Sequence, residues 1–432
     1  MKIDLPYGDS HITITVPDTA TVLTPAPSSP VIDADAAVLH ALLDPIDSPP
    51  LAKLVRAGQR ACIVVSDVTR PVPNSTILPP MLDILERNGI ARDDITVLVG
   101  TGLHRGSRDD ERRRFLGDHI TDTYCIVDHD ARDEASLVLM PLGTDGRGIS
   151  FNKHYMQADL RIVTGFVEPH LFAGYSGGGK AVLPAIAGAA EIMANHDARM
   201  VGHPNATWCR TAGNPIFEQM RDAALITQPA FTLNVTLDER KRITGVFAGD
   251  LAAAHDAAIE QAARQALRPI PHLFDIVVVT NMGYPADLNL YQSVKAMSVA
   301  AQAVREGGAI LLVAECREGL GGDEYVALMK SVASPHDLLA RVESSTHRTL
   351  HDQWQLQVQA MVQSRADVWL HSTLDRLTVE SAHLRHAEDL EATLSALSAA
   401  IRLEHNRDAT VCVMPYGQLT VPLKQAKHVA PH

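Results

Sequence analysis

A series of short apolar runs rich in β-branched residues constrains this chain of 432 residues more than any other feature. Cys62-Ile63-Val64-Val65, Ile95-Thr96-Val97-Leu98-Val99, Cys125-Ile126-Val127 and Leu160-Arg161-Ile162-Val163 come first. Asp275-Ile276-Val277-Val278-Val279-Thr280, Ala309-Ile310-Leu311-Leu312-Val313 and Thr410-Val411-Cys412-Val413-Met414-Pro415 follow. Runs this short and this apolar suit strands covered on both faces, as in a parallel sheet. Helical stretches separate them. One is expected from about Ile77 to Asn88, with Pro79 and Pro80 in its first turn and Gly89 ending it. Others begin near Ser107 and Ala189, fill the Ala-rich stretch 251–267, and run from Ser293 to Glu306. Strands alternating with helices predict an α/β fold of two domains, each with a mostly parallel sheet flanked by helices. The composition changes at Arg268-Pro269-Ile270-Pro271-His272, which divides an N-terminal domain, 1–270, from a C-terminal one, 271–404.

The net charge of -13 argues against a nucleic-acid footprint, which needs a basic surface. No apolar run is long enough to span a membrane, and Met1-Lys2-Ile3-Asp4-Leu5-Pro6 is not a signal-peptide core. The cysteines, at 62, 125, 209, 316 and 412, are scattered and odd in number, which does not suit a disulfide framework. A cytoplasmic protein with reduced thiols is expected.

Polar clusters stand just past three of the proposed strands, where ligands sit in open α/β sheets. The densest is Glu168-Pro169-His170-Leu171-Phe172-Ala173-Gly174-Tyr175-Ser176-Gly177-Gly178-Gly179-Lys180. Its glycines let backbone N–H groups approach an anion, Lys180 adds a fixed charge, and His170 adds a base that titrates near neutrality. Gly174 to Lys180 also fits the G-x-x-x-x-G-K of a nucleotide-binding P-loop. Against that reading, Ala181 replaces the Ser or Thr that would ligate magnesium, and Pro184 stands too close for a long helix.

The second cluster, Ser66-Asp67-Val68-Thr69-Arg70-Pro71, could grip an anion through Arg70 or be no more than an Asx turn. The third, Thr101-Gly102-Leu103-His104-Arg105, ends in a histidine that is either structural or catalytic. His196, in Asn195-His196-Asp197, has no partner set at metal-ligand spacing beyond His203. A metal held mainly by an organic cofactor would need only one protein ligand. Tyr291-Gln292-Ser293-Val294-Lys295 opens a helix of the second domain. It offers either an anion contact across an interdomain cleft, where the active site is expected, or a capping serine with a solvated lysine.

Taken in order, these residues resemble the nickel-pincer lactate racemases and their 2-hydroxyacid racemase and epimerase relatives. The resemblance covers Ser66 to Pro71, Thr101 to Arg105, Asp128-His129-Asp130-Ala131, Glu168 through Gly188 with His196, Gly213-Asn214-Pro215 and Gln292 to Lys295. Glu168 to Gly188 is its most specific part. It implies a nickel-pincer nucleotide, pyridinium-3,5-bisthiocarboxylic acid mononucleotide nickel. Lys180 would be tethered to that cofactor through a thioamide or paired with it ionically, and His196 would be the protein ligand to nickel. His104 and His170 would be paired acid/base histidines. Asp67, Arg70, Ser176, Gly177, Gly178, Gly179, Gln292 and Lys295 would lie at the cofactor, and Arg70, Lys295 and Tyr291 at the substrate. The tail, 405–432, would return to the first domain. Cofactor-synthesis and nickel-insertion proteins would be its partners. Ala185 departs from the glycine expected in relatives.

The implied chemistry suits these residue types. A histidine with a pKa of about 6.5 is too weak a base to take the C2 hydrogen of a hydroxyacid as a proton. It can take the hydroxyl proton while the C2 hydrogen leaves as hydride. Lactate, malate, aromatic hydroxyacids and sugar acids all present the same hydroxyl and carboxylate; Trp354 and Tyr291 are candidates to line the pocket for what differs, although buried core is the commoner fate of a lone tryptophan. A nicotinamide-dependent dehydrogenase is disfavoured because no G-x-G-x-x-G follows a strand.

Overall fold

The computed structural model describes residues 1–141, 148–344 and 348–424. They form two compact units. The first comprises Ser28–Asn195 and Arg210–Arg264; the second comprises Met1–Pro27, His196–Cys209 and the chain from Gln265.

The first unit is built on six strands in the order Ile243–Gly249, Phe231–Leu237, Leu160–Phe166, Ala61–Ser66, Ile95–Gly100 and Cys125–Asp128. All neighbours are parallel except the first pair. Ile63, Val65, Val97, Val99 and Ile162 on these strands pack with Leu78, Met81 and Leu82 of the helix Asn74–Arg87. That helix begins earlier than its prolines suggest, so Pro79 and Pro80 lie inside it. An interior proline costs about 3 kcal/mol. Ile77, Leu78, Met81, Leu82 and Leu85 are all buried, and each contributes about 1.5–3 kcal/mol by leaving water, so burial wins.

The second unit carries another six-stranded sheet, in the order Arg385–His386, Asp367–His371, Val304–Val313, Phe274–Thr280, Val411–Met414 and Thr21–Val22. Every neighbouring pair in it is parallel. The domain limits therefore differ from 1–270 and 271–404. The first 27 residues join the later part of the chain, with Leu5, Ile14 and Val16 in the same core as Ile276, Val278 and Leu311. Val411–Met414 sits inside the second sheet beside Phe274–Thr280, and Val421–Lys424 pairs with Leu267–Ile270 in the same unit. Of the tail expected to return to the first domain, residues 425–432 lie outside the described residues. Among the described residues, no helix is long and apolar enough to cross a membrane.

Candidate active site

Three adjacent strands of the first unit, Leu160–Phe166, Ala61–Ser66 and Ile95–Gly100, deliver their following loops to the same sheet edge. These loops carry His170 and Lys180, Asp67 and Arg70, and His104. The parallel register is what brings together residues a hundred positions apart.

Asp67 and His104 form a direct pair. His104 Nδ1 lies 2.7 Å from Asp67 Oδ2, and a carboxylate can only accept there, so the imidazole donates. In the neutral ring this leaves the lone pair on Nε2, and the side chain is 53% exposed against 8% for Asp67. The second oxygen of Asp67 accepts from Thr69 Oγ1 at 2.6 Å and Thr69 N at 3.1 Å. Burial works against the Asp67 carboxylate. The hydrogen bonds from His104 and Thr69, with the charge of Arg70, outweigh it and hold its carboxyl below the usual range. The Asx turn is present, and the carboxylate that forms it is the one that pairs with His104.

His170 sits on a tight hairpin in which Pro169–His170 pairs antiparallel with Gly174–Tyr175. Ala173 N–H donates to His170 Nδ1 at 3.2 Å, and Phe172 packs edge-on to the imidazole at 4.7 Å. An accepting Nδ1 places the proton of the neutral ring on Nε2, opposite to His104. Gly174 has φ +72, and a Cβ there would lie 2.1 Å from Arg210 O.

The glycines before Lys180 are explained by packing. A Cβ on Gly177 would lie 2.6 Å from Val167, on Gly178 2.1 Å from His255, and on Gly179 2.6 Å from Met220 O. Gly178 N–H is spent on Asn234 Oδ1 at 3.1 Å. Ser176 Oγ donates to Phe166 O and accepts from Glu168 N, both at 2.9 Å. The groups expected to cradle a ligand thus shape the loop that presents the half-buried Lys180. Lys180 itself lies in the short 3-10 turn Gly178–Ala181, and the next helix starts only at Ala189, so the long helix that a nucleotide-binding P-loop enters directly is missing. Ala185, the departure noted above, places its methyl where a Cβ on Gly100 would come within 2.7 Å.

Sequence reading missed two supports of this loop. His255, a lone histidine in the helix Leu251–Ala266, is buried and donates from Nε2 to Ser176 O at 2.9 Å. Asn234 holds Gly178 from the middle of a strand. Neither carries a motif. The only signal was the glycine run itself, which needed something packed against it. Asn214 gains a clear role: it caps the helix Pro215–Ile226 and donates to Phe172 O at 2.9 Å, bracing the His170 hairpin.

The remaining expected residues belong to the second unit. His196 is buried, with the Trp354 ring edge-on at 5.1 Å. Lys295 Nζ donates to Gln292 Oε1 at 3.0 Å, one turn apart on the helix Leu290–Ala300, which Asn289 caps. Tyr291 donates its hydroxyl to Asp352 at 2.8 Å. Among the described residues, no three His, Cys, Asp or Glu side chains converge as a metal site. A metal here would need most of its donors from an organic group, and one protein imidazole then suffices, so the residues present fit such a cofactor.

The chain is similar to known proteins along most of its length. The lactate racemase N-terminal domain family matches residues 7–209, and the lactate racemase C-terminal domain family matches 271–421. The lactate racemase of Thermoanaerobacterium thermosaccharolyticum is 32% identical over 96% of this chain and 98% of its own length. That of Lactiplantibacillus plantarum is 36% identical with the same coverage. The solved lactate racemase apoprotein from T. thermosaccharolyticum superposes with a TM-score of 0.90 at 31% identity, covering 98% of this chain and all of its own. A Thermotoga maritima protein shares the fold, with a TM-score of 0.67 at 15% identity, over 92% of this chain and all of its own.

Proposed function

The chain belongs to the lactate racemase family and is an isomerase; from that premise we propose that it inverts C2 of a 2-hydroxyacid, with His104 and His170 as its acid/base pair. The observation that carries the proposal is the Asp67–His104 pair at the ends of the central strands. Asp67 fixes the imidazole with Nε2 outward and stabilises the imidazolium that forms when Nε2 takes the substrate hydroxyl proton. His170, whose Nδ1 accepts from Ala173 N–H when the ring is neutral, serves as the acid of the pair as its imidazolium, which gives one proton to the alkoxide and returns to the neutral ring. Inversion in one direction begins with proton transfer to His104 and ends with donation from His170. The opposite direction exchanges the roles. Arg70 or Lys295 pairs with the substrate carboxylate, Arg70 in fork geometry, and Tyr291 lies at the substrate.

When bound, a nickel-pincer nucleotide supplies the acceptor that takes the C2 hydrogen with its electron pair and returns it. Lys180 would hold that group, covalently or as an ion pair, and His196 would ligate its metal, with Gln292 and Lys295 alongside. Ser176, Gly177, Gly178 and Gly179 support it by shaping the loop that presents Lys180. The solved relative's description as an apoprotein accords with a bound group.

The reading is tested by replacing one base and one ligand. His170→Ala in cofactor-loaded protein should abolish racemisation of single-enantiomer 2-hydroxyacids while retaining cofactor; near-normal turnover would remove His170 from the pair. His196→Ala should lose nickel, and unchanged nickel content would remove it as the ligand.

A further inference from the structure

The stretch Asp128-His129-Asp130-Ala131 belongs to the resemblance but has no part in the proposed chemistry. Asp128 ends the strand Cys125–Asp128, His129 follows it, and the two side chains turn to different loops. Asp128 accepts from Ser107 N at 3.1 Å and Ser107 Oγ at 3.0 Å, and it pairs with Arg112. Ser107 stands three residues after His104, so Asp128 anchors the far end of the loop that carries the base.

His129 is buried and spends both ring nitrogens. Nε2 donates to Ala187 O at 2.9 Å, and Nδ1 accepts from Asn152 Nδ2 at 3.1 Å. Burial holds its pKa below the usual histidine value, which keeps Nδ1 an acceptor. Ala187 ends the segment that follows Lys180. That segment is further tied by Asn152 N to Ile186 O at 2.9 Å and by Gly102 N to Ala185 O at 3.0 Å. The last bond joins the two loops directly. Thr101 Oγ1 closes the junction by donating to His129 O at 2.5 Å.

We infer that Asp128 and His129 are a pair of positioning residues that set the His104 loop and the Lys180 loop in register, Asp128 acting on the first and His129 on the second. The inference deepens the racemase reading and rests on it for the roles of His104 and Lys180. A polar junction in which both ring nitrogens of His129 and both carboxylate oxygens of Asp128 are paired is a stiff coupling between two loops, and small misplacements of a catalytic group are costly.

The test separates the two anchors in full-length protein. Asp128→Ala, with Ser107→Ala as the milder variant, should lower kcat about tenfold or more while nickel and cofactor content stay at the wild-type level. In the apoprotein the same variants should shift or broaden the His104 Nδ1–H proton resonance that reports the Asp67 bond. His129→Leu should leave that resonance in place and weaken retention of nickel and cofactor about tenfold. His129→Gln, which keeps a donor for Ala187 O, should restore most of it. Folded variants that all match the wild type, or that lose both readouts in equal proportion, would overturn the division of labour. Failure of cofactor-loaded wild-type protein to racemise any 2-hydroxyacid would sink the functional reading instead, and the apoprotein resonance would still decide the loop coupling.

Discussion

Acidification should weaken the first unit by roughly 3 kcal/mol through a single histidine. His255 is sealed beneath the glycine turn, with Phe217 stacked on its ring at 5.8 Å and its Nε2–H bonded to Ser176 O. Arg221 faces its Nδ1 from the helix Pro215–Ile226 at 3.5 Å, and Asp256 pairs with that arginine. Burial, with the Arg221 charge adding to it, pushes the His255 pKa down to about 4, against the opposing pull of the Ser176 carbonyl and Asp256. An unfolded chain takes up this proton near 6.5, whereas the folded one takes it up only near 4. Between those values the unfolded state binds more protons, so the contribution is whole above about pH 6.5 and is lost as pH falls towards 4. At about 1.4 kcal/mol per pH unit, the interval amounts to roughly 3 kcal/mol. Denaturant unfolding between pH 7 and 4 measures it, with His255→Gln as the control. Gln keeps a donor for Ser176 O and cannot titrate, so its curve should be flatter by about that amount. His129 and His154 also have lowered pKa values and slope the same way in both proteins, so the difference isolates His255. Identical slopes, or a His255 resonance titrating near 6.5, would refute the reasoning.

Gly178→Ala should destabilise the first unit by about 3 kcal/mol, since it adds a left-handed alanine at φ +50 to a methyl driven into His255; a melting curve within a degree or two of the wild type would count against the packing account. Asp67→Asn should leave the loop folded and cofactor bound, yet lower racemase kcat about a thousandfold, because the amide no longer fixes His104 with Nε2 free. Steady-state rates on matched cofactor-loaded samples decide it, and a loss of less than about tenfold would mean that Asp67 does not orient the base.

The strands of both units were legible because uninterrupted β-branched runs have few other fates, and the polar residues just past them fell at the sheet edge where ligands bind. Strand partners were not legible. Thr21–Val22 pairs with residues beyond 410, and no local pattern encodes a contact at that distance. The helix Asn74–Arg87 shows the same limit in reverse, since burial of five large side chains overrides two prolines. In the site, residue types pointed to Asp67, His104 and His170, but not to the opposite tautomers of the two histidines, which depend on Asp67 on one side and Ala173 N–H on the other. The glycine run suggests backbone N–H groups open to an anion, because sequence displays what a glycine lacks and hides what stands beside it. Here those neighbours are Val167, His255 and Met220.

The central claim is that the C2 hydrogen leaves and returns with its electron pair while histidines handle only the hydroxyl proton. A single enantiomer of a 2-hydroxyacid deuterated at C2, incubated in ordinary water with cofactor-loaded protein, tests this directly. The opposite enantiomer should form with its deuterium kept at C2. Replacement of that deuterium by solvent hydrogen at the rate of inversion would contradict the account and assign C2 proton abstraction to the enzyme.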